Sequence, residues 1–169
     1  MISKANLEDI SGLNSLINSA YRGETSKIGW TTEANILEGI RTSEKELLEI
    51  IQEPNTSIFK FVENQKTIGC VLLVKKENKL YLGMLTVSPE LQNSGIGKKL
   101  LKFAEDYAFE LSLSKIVMTV ISVREELIAW YKRHGYLDTG KREPFPMDNP
   151  EFGLPKQKLE FIVLQKLIP

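Results

Sequence analysis

The chain has 169 residues, 42% of them apolar and 26% charged, which suits one core and one polar surface, so a single domain over residues 1–169 is expected. Twenty-two basic against twenty-two acidic side chains leave no net charge, which points away from nucleic acid as a partner and away from a solvating acidic role. One cysteine excludes an internal disulfide, and one histidine, His134, excludes a histidine-rich metal site and any catalytic arrangement that needs a second imidazole, so no metal is expected.

The N-terminal MISKANLEDISGL lacks the apolar run of a secretory signal, and the longest uninterrupted apolar run, Cys70–Val74, is far too short to span a bilayer. A cytoplasmic protein with no membrane partner is the expectation. Ile10, Leu13, Ile17, Ala20 and Tyr21 share one helical face within Leu7–Tyr21, and Asn6 stands where an N-cap belongs. Tyr21–Thr42 is less regular, with a short helix expected near Glu33–Ile40. Ser43 and Glu46 form an S-x-x-E capping box that opens a helix through LLEII, and Pro54-Asn55 closes it.

Three strand-like runs follow, Ser57–Glu63, Thr67–Lys75 and Lys79–Val87, separated by tight turns at NQ and KEN, which makes an antiparallel meander. The period then switches: Ile96, Leu100, Phe103, Ala104, Tyr107, Ala108 and Leu111 fall on one face of a helix of about 16 residues. Lys115–Ile121 is a continuous apolar strand, as in a sheet covered on both faces. A shorter helix, Glu125–His134, carries Lys132, Arg133 and His134 in its last turn and Gly135 at its C-cap. His134 there reads as a surface residue offsetting the helix dipole. Tyr136–Lys141 and Lys158–Leu167 are the remaining strands, around a proline-rich loop, Pro144–Pro155. A right-handed crossover through the long helix makes Lys79–Val87 and Lys115–Ile121 parallel, so the fold class is α/β (α+β), with a mixed, mostly antiparallel sheet flanked by helices.

The decisive stretch joins strand to long helix: VSPELQNSGIGKKLL, from Val87. A phosphate loop of the G-x-x-x-x-G-K-[ST] type would need glycine where Gln92 stands and a hydroxyl where Lys99 stands. A dinucleotide fingerprint would need a third glycine where Leu100 stands. What remains is Q-x-x-G-x-G at a helix N-terminus, an anion site in which unpaired N–H groups and the helix dipole meet a diphosphate. Gly95 and Gly97 let it approach the backbone, Gln92, Asn93 and Ser94 add neutral donors, and Lys98 adds a charge.

With LTV at Leu85–Val87, Pro89, QNSGIGK at Gln92–Lys98 and AWYKRHGY at Ala129–Tyr136, the chain resembles the GCN5-related N-acetyltransferase (GNAT) superfamily over nearly its whole length. The resemblance implies that the parallel strands splay apart and that acetyl-coenzyme A lies in the opening as co-substrate. Its pantetheine arm would pair with the backbone of Leu85, Thr86 and Val87, and its diphosphate would sit on Gln92, Asn93, Ser94, Gly95, Ile96, Gly97 and Lys98. The reaction implied is acetyl transfer to a primary amine, from a small molecule or a peptide, by direct attack in a ternary complex. A backbone N–H near Leu85–Val87 would meet the developing oxyanion, and Tyr131 would be the general acid to the leaving thiolate.

An alternative is a coenzyme A-binding sensor or scaffold without turnover. Many relatives carry asparagine seven residues before the helix tyrosine; here Arg124 stands there, facing the cofactor phosphates, a substrate carboxylate or solvent. Relatives cover the acceptor site with the segment that holds Trp30 and Glu33, which equally suit a packing anchor and a helix first turn. Glu24 and Glu33 are candidates for the base only by lying in that segment. PFP at Pro144–Pro146 could line the acceptor pocket, form a homodimer contact or stiffen a connector. Cys70, inside an apolar run, reads as a small buried residue.

Overall fold

The computed structural model describes residues 1–149 and 153–169. It begins with a short strand that the sequence pattern does not predict, β1 (Ile2–Lys4). The Asn6 side chain then accepts the Glu8 N–H at 2.9 Å while the Asp9 carboxylate accepts the Asn6 N–H at 2.8 Å. This reciprocal cap opens one 3-10 turn, Leu7–Asp9, and the α-helix proper, α1, is Ile10–Tyr21. A single turn, α2 (Gly23–Ser26), follows.

The helix expected near Glu33–Ile40 does not form. One helical turn closes, with the Ile36 and Leu37 N–H groups donating to the Glu33 carbonyl at 3.0 and 2.9 Å. The chain then extends into β2 (Leu37–Glu38), which pairs antiparallel with Leu154–Pro155. Gly39 follows at a φ of 85°, a conformation that ends a right-handed helix. Tertiary pairing to a segment far along the chain thus outweighs the local pattern. In α3 (Glu44–Gln52) the Ser43 hydroxyl caps the Glu46 N–H at 3.1 Å as expected, but the Glu46 carboxylate accepts from the Thr42 hydroxyl at 3.1 Å instead of completing the box.

The meander is present as β3 (Thr56–Glu63), β4 (Lys66–Lys76) and β5 (Lys79–Val87). Asn64 and Gln65, with φ of 51° and 63°, make the two-residue hairpin turn whose twist matches the strands. The long helix α4 (Ile96–Glu110) leads to β6 (Lys115–Ile121), then α5 (Glu125–Arg133), β7 (Leu137–Pro144), β8 (Leu154–Pro155) and β9 (Glu160–Leu167). The Pro144–Pro155 loop therefore ends in a strand, and its residues 150–152 lie outside the described residues. The main sheet runs β1-β3-β4-β5-β6-β9-β7, and β5 with β6 is its one parallel pair.

Helices cover both faces of this sheet. On one side Leu100, Leu101, Ala104 and Ala108 of α4 pack on Val71, Leu73 and Leu80. On the other, Leu13, Ile17 and Ala20 of α1 and Leu47 of α3 pack on Ile58 and Cys70. Cys70 is fully buried, and burial pushes its thiol up to about 12, so it is a packing residue and not a nucleophile.

The splay has a visible cause. Pairing of β5 with β6 covers only Lys79–Tyr81 against Lys115–Val117. Just beyond, β4 and β5 change register: Cys70 faces Thr86 and Leu72 faces Gly83, so Met84 and Leu85 together oppose Val71 alone. Met84 takes a φ of 49° at this bulge. The side-chain alternation flips there, with Leu80 and Leu82 buried under α4, Met84 on the α1 side, and Leu85 and Val87 again on the α4 side. A bulge bends its strand and raises its twist, and this one turns β5 away from β6.

Candidate active site

Two cavities occupy the opening between β5 and β6. One, of about 260 Å³, lies towards α1 and β9; the other, of about 250 Å³, lies between α4 and α5. Leu85, Leu127 and Tyr131 line both, so the two meet at these side chains.

The cavity between α4 and α5 is built at the start of α4. Asn93 and Gly95 adopt φ of 70° and 87°, which turns the chain into the helix; only glycine takes the second value without strain. The first intrahelical bond is from the Lys99 N–H to the Gly95 carbonyl at 3.1 Å. The N–H groups of Ile96, Gly97 and Lys98 are thus left without an intrahelical acceptor, and the positive end of the helix dipole adds to them. A Cβ on Gly97 would fall 3.4 Å from the Trp130 ring and 3.7 Å from Val87, so bare backbone forms this part of the wall. Trp30, Trp130 and His134 form the opposite wall, with the two indoles 6.3 Å apart. Lys98 adds a charge to the lining, and no carboxylate joins it among the described residues.

Gln92 does something the sequence did not suggest. Its Oε1 accepts the Trp30 N–H at 2.7 Å and the Thr31 N–H at 3.2 Å; its Nε2 donates to the Thr31 hydroxyl at 2.7 Å and the Val87 carbonyl at 3.1 Å. All four bonds of the amide are used in tying residues 30–31 to the end of β5. A Cβ on Gly29 would lie 2.2 Å from Gln92 Oε1, so this approach needs glycine there too.

Among the described residues the other cavity is lined by Arg22, Arg41 and Arg124 and by one carboxylate, Glu33. Glu33 Oε1 accepts from Arg22 at 3.0 Å and Oε2 from Arg124 at 3.1 Å; the three side chains are 7%, 5% and 9% exposed. Arg124 also donates to the Thr31 carbonyl. It faces neither solvent nor the α4 loop: it clamps the segment that carries Trp30 and Glu33. Tyr21 donates to the Leu85 carbonyl, and the Arg41 and Arg124 guanidiniums each lie 5.8 Å from its ring centre. Burial raises the Tyr21 phenol above its ordinary value, opposed by the two arginines. The Tyr81 and Thr119 hydroxyls, 3.2 Å apart, bridge β5 and β6 at the floor, and Phe145 packs 5.3 Å from Phe161 at the side. Phe145 belongs to PFP, so that motif lines this cavity.

Tyr131 is 5% exposed, edge-on to Trp130 and Tyr136 at 5.1 and 5.9 Å. Among the described residues its hydroxyl makes no hydrogen bond. Burial, above all, holds its phenol well above the ordinary tyrosine value, so it stays protonated as a donor.

Of the residues singled out in the sequence, Leu85, Val87, Gln92, Asn93, Gly95, Gly97, Lys98 and Tyr131 line one cavity together. Three do not: the Thr86 side chain is buried and donates to the Met84 carbonyl at 2.9 Å, Ser94 donates to the Leu91 carbonyl, and the Ile96 side chain is in the core. Glu24 is exposed, paired with Lys27 at 2.8 Å, and lines neither cavity. His134 is not the exposed residue expected, because its ring packs 4.4 Å from Trp130 and its Nδ1–H donates to the Trp130 carbonyl at 2.8 Å. Arg22, Arg41, Tyr21, Tyr81 and Thr119 were not anticipated. Trp130 had one signal in the sequence, its place beside Tyr131.

Residues 18–136 match the model of the Acetyltransferase (GNAT) family. Among solved structures, the ribosomal-protein-S18-alanine N-acetyltransferase of Escherichia coli is 16% identical, with a TM-score of 0.75 over 99% of this chain and 93% of its own. The Streptococcus mutans protein smu.2055 is 17% identical, with a TM-score of 0.76 over 100% and 99%. A Bacillus anthracis protein described as a streptothricin acetyltransferase, solved in complex with acetyl coenzyme A, is 21% identical, with a TM-score of 0.59 over 71% and 66%. At such identities the likeness speaks to the fold. No curated protein matches the sequence.

Proposed function

Because the chain belongs to the acetyltransferase (GNAT) family, we propose that it moves the acetyl group of acetyl-coenzyme A onto the primary amine of an acceptor, by direct attack within a ternary complex. The observation that supports this most is the shared wall: Tyr131, Leu85 and Leu127 separate a cavity fit for a diphosphate-bearing thioester from a second cavity of similar size.

The residues present suit that co-substrate. Free N–H groups at the start of α4, with Lys98 beside them and no carboxylate in the lining among the described residues, complement a diphosphate. The backbone of Leu85–Val87, which β6 leaves unpaired, would hold the pantetheine amides as an added strand would. Acetyl-coenzyme A supplies the activated thioester. Tyr131, dry and protonated, donates to the departing sulfur, and the desolvation that strengthens its hold on the proton also makes a thiolate there more basic. Glu33 is a poor base, since each of its oxygens is held by a guanidinium. The amine therefore enters as its free base or loses its proton to water.

Thermal unfolding tests the co-substrate. Acetyl-coenzyme A should raise the melting temperature, because a ligand that binds only the folded state stabilises it, and ATP and NAD at matched concentration should not. Equal protection by ATP would mean the loop is a general nucleotide site. Free-thiol release with a panel of amines then tests the transfer.

A further inference from the structure

The amine-side cavity holds a cation that no carboxylate meets among the described residues. Three guanidiniums and Glu33 line it there. Glu33 is shared between Arg22 and Arg124. Arg41 is different: among the described residues its guanidinium meets no carboxylate and only lies against the Tyr21 ring. Coenzyme A does not account for it, because the diphosphate donors are on α4, in the other cavity. A guanidinium without a carboxylate partner, lining a half-enclosed cavity beside an aromatic ring, is a ready partner for an anion that enters with the ligand. It also repels an ammonium, so a plain alkylamine is poorly matched to this cavity.

We infer that the acceptor is a small amine that also bears a carboxylate, an amino acid with an apolar side chain, whose carboxylate pairs with Arg41 and the outer edge of Arg124. Both guanidiniums line this cavity, each 5.8 Å from the Tyr21 ring centre. A guanidinium meets a carboxylate through parallel N–H bonds, so the pairing also orients the acceptor. Tyr21, Tyr81, Met118, Phe145 and Phe161 provide an apolar surface for the side chain. The guanidiniums favour the neutral form of the amine, which helps a site where no described residue offers a free carboxylate. The cavity of about 260 Å³ suits a free amino acid better than a folded protein segment.

This inference rests on the acetyltransferase reading, and the test separates the two. The probes are L-amino acids with apolar side chains, each beside its primary amide, which keeps the amine and removes the charge. Binding is measured by calorimetry with coenzyme A present, and turnover by thiol release. The acid should bind, and turn over in kcat/KM once each value is corrected for the fraction of free amine, roughly 10- to 100-fold better than the amide, the size expected for charged hydrogen bonds. Arg41→Gln should erase most of that preference while changing the amide by less than about threefold, with an unchanged coenzyme A affinity as the check on folding. Equal binding of acids and amides across the panel, or equal losses on both with Arg41→Gln, would overturn the inference. Preferential binding of the acids without thiol release would leave it standing and overturn the acetyl transfer instead.

Discussion

Arg124 holds Glu33 across the mouth of the splay, Nη1 to Oε2 at 3.1 Å, although the two residues lie 91 positions apart. Arg22 takes the other oxygen at 3.0 Å. Glu33→Gln would turn an amide N–H towards a buried guanidinium. A buried pair broken on one side costs about 3–5 kcal/mol, so the melting temperature should fall by roughly 6–20 °C. Arg124→Gln should cost less, since Arg22 stays on Glu33. Chemical denaturation of both variants measures this; a Glu33→Gln protein as stable as wild type would mean the triad holds nothing.

The Gln92 amide makes four bonds, three of them to residues 30–31. Gln92→Ala should destabilise by roughly 1–3 kcal/mol, given about 1 kcal/mol net per bond and partial rescue by water. Gly29→Ala should act in the same direction by pushing the amide away. With Trp30 and Trp130 only 6.3 Å apart, intrinsic fluorescence reports the wall directly. An unaltered spectrum and stability in both variants would show that the latch is dispensable.

Gly97→Val places a branched side chain against Trp130 and Val87, into space that a diphosphate-bearing ligand needs. Coenzyme A affinity should fall at least tenfold, about 1.4 kcal/mol, with the fold intact because valine is no worse than glycine inside a helix. An unchanged dissociation constant would return Gly97 to a packing role.

The pH profile follows from what lines the amine-side cavity. Among the described residues Glu33 is its one carboxylate, and it is engaged. The acceptor must then supply its own free base, so kcat/KM should rise about tenfold per pH unit up to the pKa of the free amine and shift with that pKa between acceptors. Burial raises the Tyr131 phenol, so its ionisation, which would remove the donor, lies above the ordinary tyrosine range and gives no falling limb below about pH 10. A plateau far below the amine pKa would reveal a base on the protein.

Local patterns carried most of the frame. The alternation of β3 to β5, the helical face of α4 and the apolar run of β6 are set by neighbouring residues, so sheet and crossover were legible. So was the start of α4, where Asn93 and Gly95 must turn the chain. What was not legible depends on distant partners. Leu37–Glu38 extends because Leu154–Pro155 is there to pair with it. Arg124 matters because Glu33 waits at its far side, and nothing around either residue says so. The bulge that opens the splay sits at Met84, a residue type that gives no hint of a φ of 49°. Nothing in the sequence marks Arg22 and Arg41 as neighbours; the fold brings both to the amine-side cavity.

The central claim, that chemistry occurs where the two cavities meet, is tested most directly by Tyr131→Phe. Phenylalanine keeps the ring against Trp130 and Tyr136 and removes only the hydroxyl, which has no other partner among the described residues. The measurement is steady-state thiol release beside a coenzyme A titration and a melting curve. The account predicts kcat lower by about 10², with melting temperature and coenzyme A affinity nearly unchanged, as expected for a lost general acid. Turnover at the wild-type rate would contradict it, since the sulfur would then leave without help from Tyr131.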